Sequence, residues 1–403
     1  MNGSILHKLL LNHSEQKEFQ AGDIIPINVN HVFISDNSAT PILDALANFN
    51  VAKPKCPTYL GQTYFHYQLE KKYAKVQAKL IKDAEKKNIT VMEPFQGHWH
   101  HNLLDYKKIK PGNVFIGSDS TINFFSPLNT LSISCGATDI IKTLLTGKLD
   151  YLVPQLVNIN IEGKFLPQTN AKDLALFLKK HIDDYELKHY SIEFSGSFFE
   201  QASQDELHNL AFHHYALNAQ SFLFPPVLFR KTNKQTIYPE EKATYNKSVR
   251  YNVSKLEPMV KLKQHVYEVS NLEHLIINKI FIGNTIGGTL EDFKFISEVL
   301  KDKKISIPCY VTPASSAILK EATNKGYLAN VLNAGCTLLT PSTGICHNTN
   351  GVVSLKNENI LSTGIASLSM STGKTKANIY TASIKTALAT AIKGYLVSFK
   401  ELL

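Results

Sequence analysis

Short apolar runs in the last third of the chain alternate with longer segments whose apolar residues recur every third or fourth position. EHLIINKIFIG (273–283) has the apolar, β-branched make-up of a strand and runs into the glycine-rich turn NTIGG. TLEDFKFISEVLKDK (289–303) then has the spacing of an amphipathic helix. ISIPCYVTP (305–313) and ASSAILKEATNKG (314–326) repeat the strand and helix, and CTLLTP (336–341) predicts a third strand ending in STGICHNTNG. This alternation predicts a parallel α/β layer. Ligands of such layers bind beyond the carboxyl ends of the strands, so loops 283–289, 312–316 and 340–348 are expected to converge on a site.

Upstream, 156–182 alternates like a strand, turns, and becomes a helix. YSIEFSGSF (190–198) predicts a strand and DELHNLAFHHYALNAQSF (205–222) a helix. MNGSILHKLLLNHSEQ reads as an amphipathic first helix. Residues 228–256 are polar and lysine-rich with little periodicity, and read as a linker or excursion before EPMV (257–260). The expected division is a first α/β domain over 1–155, a second over 156–256 and a third over 257–403.

The 403 residues, 43% apolar and 19% charged, suit an ordinary globular protein of two to three domains. No apolar run is long enough to span a bilayer, and the N-terminus lacks a basic region and a cleavage site. A cytoplasmic protein with no membrane partner is expected. The net charge of +9 raises the question of nucleic acid. Lys71, Lys72, Lys75, Lys79, Lys82, Lys86 and Lys87 are interleaved with acidic residues on a helical stretch, which reads as a solvated face. No nucleic-acid partner is expected; an anionic substrate or an acidic protein suits a basic surface equally well. The five cysteines show no paired spacing, and Cys135, Cys309 and Cys336 read as buried, inert thiols. GNTIGG has neither the lysine of a P-loop nor the spacing of a dinucleotide fingerprint.

FIGNTIGGTLED (281–292) and AGCTLLTPSTGIC (334–346) resemble the two cluster-binding loops of the aconitase superfamily, in the form found in 3-isopropylmalate dehydratase large subunits. In that family the first loop reads F-I-G-S-C-T-N-G-R-x-E-D and the second ends in G-C-G-x-C, and the cysteines hold a [4Fe-4S] cluster. Their positions fall on Thr285, Thr343 and Cys346. A neutral hydroxyl is a poor replacement for a thiolate. The resemblance thus implies a kept scaffold and a lost cluster, and no cofactor is expected.

GSILHKLL (3–10), GDIIPINVNHVFISD (22–36), KPGNVFIGSDS (110–120), CGATDIIKTLLTGKL (135–149), EGKFLPQTNAKDL (162–174), YSIEFSG (190–196), LEPMV (256–260) and NIYTASIKTALATAIKG (378–394) resemble family segments in order. The fold this implies is α/β, with three related α/β/α-layer domains around a central cleft. The family's swivel domain is expected to be absent, since the chain ends soon after the closing helix. In the dehydratases that domain is a separate small subunit, so a small-subunit partner is expected.

The family's catalytic histidine falls on His100 in HWHH, and the carboxylate and hydroxyl of its D-S-H motif fall on Asp119 and Ser120. The next residue of that motif is Thr121 here, the active-site glutamate falls on Ala216, and the substrate-binding arginines fall on Thr289, Ala366 and Ser371. Losing an arginine fork removes both affinity and orientation for a carboxylate. The ancestral hydration–dehydration is therefore expected to be lost.

His100 and Asp119 read either as an acid–base pair or as a buried structural bridge. Ser315 matches a family serine but also fits a helix N-cap, and Asn284, Thr285 and Thr343 complete the expected substrate-binding set. A mononuclear metal held by Cys346, His98 and His347, with His100 and His101 near, uses suitable donors. The plainer reading, that these are inherited or solvated residues, is preferred. His208, His213 and His214 read as the polar boundary of a helix, and Trp99 as a packing residue. The expected function is a lyase or isomerase acting on a small carboxylic acid without a cluster, through His100, Asp119 and Ser120. The alternative is a catalytically dead large-subunit homologue that binds and supports a partner enzyme.

Overall fold

The computed structural model describes residues 2–61, 71–93, 96–182, 190–213, 217, 219–229, 234–283, 285–342, 355–364 and 377–403. These form three large sheets and a two-stranded ribbon. In the first sheet Thr90–Val91, Thr58–Gly61, His31–Ser35, Val114–Gly117 and Leu131–Ser134 lie side by side, all parallel. Its strand Val114–Gly117 is buried at every position, as expected where helices cover both faces of a parallel sheet.

The second sheet orders Phe222–Leu223, Tyr190–Ser195, Gln155–Glu162 and Lys247–Asn252, again all parallel. Two expectations are corrected here. The helix over 205–222 stops at Phe212, and its far end, Phe222–Leu223, is a strand. The 228–256 excursion contains the strand Lys247–Asn252, six residues in register with Val157–Glu162. An edge strand needs one apolar face only, so Val249 and Tyr251 pack on the second core while Lys247, Ser248 and Arg250 keep their polarity.

The third sheet orders His265–Glu268, Met259–Leu262, Asn378–Ala382, Asn359–Ser362, Lys279–Ile282, Cys309–Val311 and Thr337–Leu338. The last five are parallel. The predicted strand over 273–283 narrows to Lys279–Ile282, and the predicted helices are Leu290–Leu300 and Ser316–Asn324. Lys279–Ile282, Cys309–Val311 and Thr337–Leu338 are neighbours, so the loops that follow them start side by side. The Ala314 N–H donates to Gly288 O at 2.9 Å. The chain around Gly97 joins them: the His98 N–H donates to Ala314 O at 3.1 Å and the Ser316 N–H to Gln96 O at 2.9 Å. Gly97 has φ +110°, and a Cβ there would stand 2.2 Å from Ala314 O, so this crossing requires glycine. No helix among the described residues is long and apolar enough to cross a membrane.

Candidate functional site

Trp99 anchors the short helix Trp99–Asp105 by stacking on Phe33, with ring centroids 3.6 Å apart and planes 15° apart. It is the packing residue its surroundings predicted. The flanking His98, His100 and His101 are all buried. The His100 ring lies 4.0 Å from His98, 4.5 Å from His101 and 4.3 Å from Phe124. Among the described residues, neither ring nitrogen of His100 has a partner in ordinary hydrogen-bonding geometry.

Burial pushes the pKa of His100 well below the usual histidine range, and His98, His101 and His208 push it the same way. The Thr285 backbone beside the ring acts in the opposite sense. His100 is thus a neutral imidazole with one unused lone pair and one unused N–H. A buried polar atom left so costs about 1–3 kcal/mol, which marks the ring as a place where a partner belongs.

His208 is not at a helix boundary, as its sequence context suggested, but inside the same cluster. Its Nδ1 lies 2.6 Å from Phe124 O, which can only accept, so Nδ1 carries the proton. Its Nε2 then accepts from Gln204 Nε2 at 3.2 Å. Burial lowers His208 to about 4 and His101 to about 3, so both are neutral near pH 7.

His101 and Phe124, which pack against His100, form one wall of a cavity of about 340 Å³. The other walls come from helices of the second and third sheets. Ala171–His181, Gln204–Phe212, Leu290–Leu300 and Ile384–Lys393 each begin at the cavity, through Ala171, Ser203, Thr289 and Ile384. Glu206 and Asp292 close capping boxes with Ser203 and Thr289 at their own helix starts. The two caps are also tied to each other. Ser203 Oγ donates to Glu291 at 2.9 Å, and the Thr289 hydroxyl beside Asp205 favours that carboxylate's charged form.

Four carboxylates therefore crowd one cavity. Burial raises Asp205 to about 7 and Asp292 to about 6, and raises Glu206; repulsion among the carboxylates adds to each. Lys385 lines the same cavity, with its Nζ donating to Thr169 O at 2.8 Å. Behind it Lys172, wholly buried, donates to Thr363 O at 2.5 Å and Gly364 O at 3.3 Å. The sequence did carry a sign of these groups: S-x-x-E over 203–206 and T-x-x-D over 289–292 are capping-box patterns.

The expected His100–Asp119 hydrogen bond is not made. Asp119 Oδ1 is committed to capping the turn Ser120–Leu128, accepting from the Thr121 N–H at 2.8 Å and the Thr121 hydroxyl at 2.6 Å. Ser120 is exposed, at the outer start of that turn. Ser315 is buried and accepts from the Ile318 N–H at 3.2 Å, so its hydroxyl serves as a helix N-cap. Thr285 is buried beside His100. Asn284, Thr343, Cys346 and His347 lie outside the described residues, as do His214, Ala216, Ala366 and Ser371.

The cluster implied by the family does not fit the donors in hand. Among the described residues no group of three or more His, Cys, Asp or Glu is placed to hold a metal ion. Cys56, Cys309 and Cys336 belong to the hydrophobic cores and Cys135 packs against one. Of the three cluster positions, two are threonines.

A cavity lined by helix starts from the second and third sheets, with a buried histidine cluster in the wall that the first sheet supplies, lies within an α/β protein. The chain belongs to the aconitase family: residues 7–211 match the aconitase family (aconitate hydratase). It is 28% identical over 413 residues to the homoaconitase large subunit of Thermus thermophilus, covering 99% of this chain and 98% of that one. It is also 28% identical over 419 residues to the 3-isopropylmalate dehydratase large subunit of Elusimicrobium minutum, covering 100% of both. Among solved structures it is similar to the holo-form of Thermococcus kodakaraensis aconitase X, with a TM-score of 0.51 and 15% identity over 97% of this chain and 95% of that one. That likeness concerns the fold alone.

Proposed function

We propose that this chain is a lyase or isomerase of the aconitase family that acts on a small carboxylic acid without an iron–sulfur cluster, with His100 as its acid–base residue. The observation that carries the reading is the state of His100: fully buried, held neutral, and unbonded at both nitrogens. A neutral imidazole is the form that takes a proton from a substrate carbon or hydroxyl. A substrate donor at the free lone pair satisfies the group that the protein leaves unmet. Thr285, beside the ring, is proposed to face the same substrate, and the described sheets support the division into domains 1–155, 156–256 and 257–403. A small subunit carrying a swivel domain is the proposed partner, by analogy with the large-subunit relatives.

The test is proton NMR in deuterated water with a panel of small 2-hydroxy acids and unsaturated carboxylic acids. Exchange or elimination at the carbon next to the carboxylate is expected, lost by roughly 10²–10⁴-fold in His100→Ala. Absence of both from every panel member, with and without a small subunit, overturns the reading.

One observation favours the second reading, a non-catalytic binding subunit. His100 packs against His101 and Phe124, and among the described residues no carboxylate is hydrogen-bonded to it. Under that reading His100→Ala leaves partner or metabolite affinity unchanged.

A further inference from the structure

The cavity between the helices Gln204–Phe212 and Leu290–Leu300 is acidic where a carboxylate-binding site should be basic. Asp205, Glu206, Glu291 and Asp292 line it, against the single ammonium of Lys385. Each carboxylate gives part of its accepting capacity to a helix start, and an ionised carboxylate has room for about four hydrogen bonds. Two further groups in the same wall are unmet. His101 is 94% buried, and its Nε2 makes no hydrogen bond; Asn209 Oδ1, also buried, makes none. Oδ1 is an acceptor, and Nε2 of the neutral His101 ring is a further polar atom that the protein leaves unmet. The cavity therefore presents an excess of negative charge, with carboxylate and amide oxygens to accept.

We propose that this cavity holds a protonated amine, so that the small carboxylic acid taken by this chain also carries an ammonium group. The proposal deepens the reading of the cleft as a metabolite site and rests on it. An ammonium supplies three donors and one positive charge, which suits acceptors spread over one wall and not closed to metal-ligand distances. A second carboxylate on the ligand would meet four of its own kind. A bare multivalent metal is a poorer occupant, since no set of three metal-donor residues is placed together among the described residues.

The proposal has a pH signature. Asp205, at about 7, and Asp292, at about 6, are partly protonated near neutrality and ionise fully as pH rises. The remaining groups facing them do not reverse this. His101 and His208 stay neutral, Glu206 and Glu291 share the acidic wall, and Lys385 and Lys172 lie beside Asp173 and Asp292. Affinity for an amine should rise with pH until the amine itself deprotonates.

Isothermal titration of the full chain with butane-1-amine, 4-aminobutanoate and glutarate tests this. Butane-1-amine and 4-aminobutanoate are expected to bind competitively, more tightly at about pH 8 than at about pH 5.5, and glutarate to bind more weakly than 4-aminobutanoate. Asp205→Asn and Glu291→Gln keep an acceptor for Thr289 and Ser203, and each should weaken the amine roughly ten- to a hundredfold. Three outcomes overturn the proposal: glutarate binding as tightly as 4-aminobutanoate, no amine binding at either pH, or variants that bind amines unchanged. Displacement of butane-1-amine by potassium at equal concentration also overturns it, in favour of a bare cation. Butane-1-amine binding does not depend on turnover, so failure here and failure of the acid–base reading are told apart.

Discussion

Ser203 Oγ donates to the Glu291 carboxylate across 2.9 Å, joining the start of a helix that covers the second sheet to the start of one that covers the third. The same hydroxyl accepts from the Glu206 N–H at 3.2 Å, so one oxygen caps its own helix and holds the neighbouring one. Thr289 caps its own helix in the same way, accepting from the Asp292 N–H, and its hydroxyl favours the charged form of Asp205 on the other. Ser203→Ala and Thr289→Ala should each cost about 0.5–2 kcal/mol, the usual worth of such a cap. Because each also frees a carboxylate on the other helix, the double variant should depart from the sum of the singles. Urea unfolding of the four proteins measures this, and strict additivity would show that the caps act separately.

Glu193 ties the first helix to the second sheet. Its carboxylate accepts from the Ile5 N–H at 2.9 Å and from the Tyr245 hydroxyl at 2.8 Å. Burial raises its pKa from the ordinary 4.5 to about 7, against the pull of these donors. The folded state thus holds the proton more tightly than the unfolded chain. The linked stability is fully present below about 4.5 and is lost as pH rises through about 7. The stability of the native chain relative to Glu193→Gln should fall between those values, measured by chemical denaturation at each pH. A constant difference would show that Glu193 ionises alike in both states.

Gly97→Ala places a Cβ 2.2 Å from Ala314 O at a φ of +110°. Backbone strain of this kind costs about 1–3 kcal/mol, and the clash adds to it. The loop pairing with 314–316 should loosen, and with it the short helix that holds His100. A lowered Tm together with altered fluorescence of Trp99, the only tryptophan, is the expected outcome. An unchanged Tm would show that the crossing is less tight than drawn.

Cys346 is the one thiolate left at the three cluster positions. Anaerobic reconstitution with iron and sulfide should therefore leave the chain colourless, without a stoichiometric cluster. A broad visible absorption with about four irons and four sulfides per chain would contradict this.

The strands Lys279–Ile282 and Cys309–Val311 are legible because a strand buried on both faces reads as a continuous apolar run. Lys247–Asn252 hides among charged residues because an edge strand buries little, and only Val249 and Tyr251 hint at its period of two. His208 was misplaced because Gln204–Phe212 is buried on most of its circumference, so its histidine has no polar side to occupy. The capping-box patterns at 203–206 and 289–292 are local and visible in the sequence. That the two caps face each other is a product of sheet packing and has no sequence signature. Asp119 shows the same limit: its Oδ1 bonds to the backbone N–H and hydroxyl of Thr121, a local contact that the family motif does not announce.

The four helices that start at the cavity turn the amide ends of their dipoles towards it, a geometry that by itself attracts anions. Asp205, Glu206, Glu291 and Asp292 fill that role from within, so the backbone votes for one sign of ligand and the side chains for the other. The preference of the cleft is then a thin layer laid over a framework of opposite bias. Neutral replacements at two of these positions should uncover that bias and turn the cavity towards anions with every strand in place.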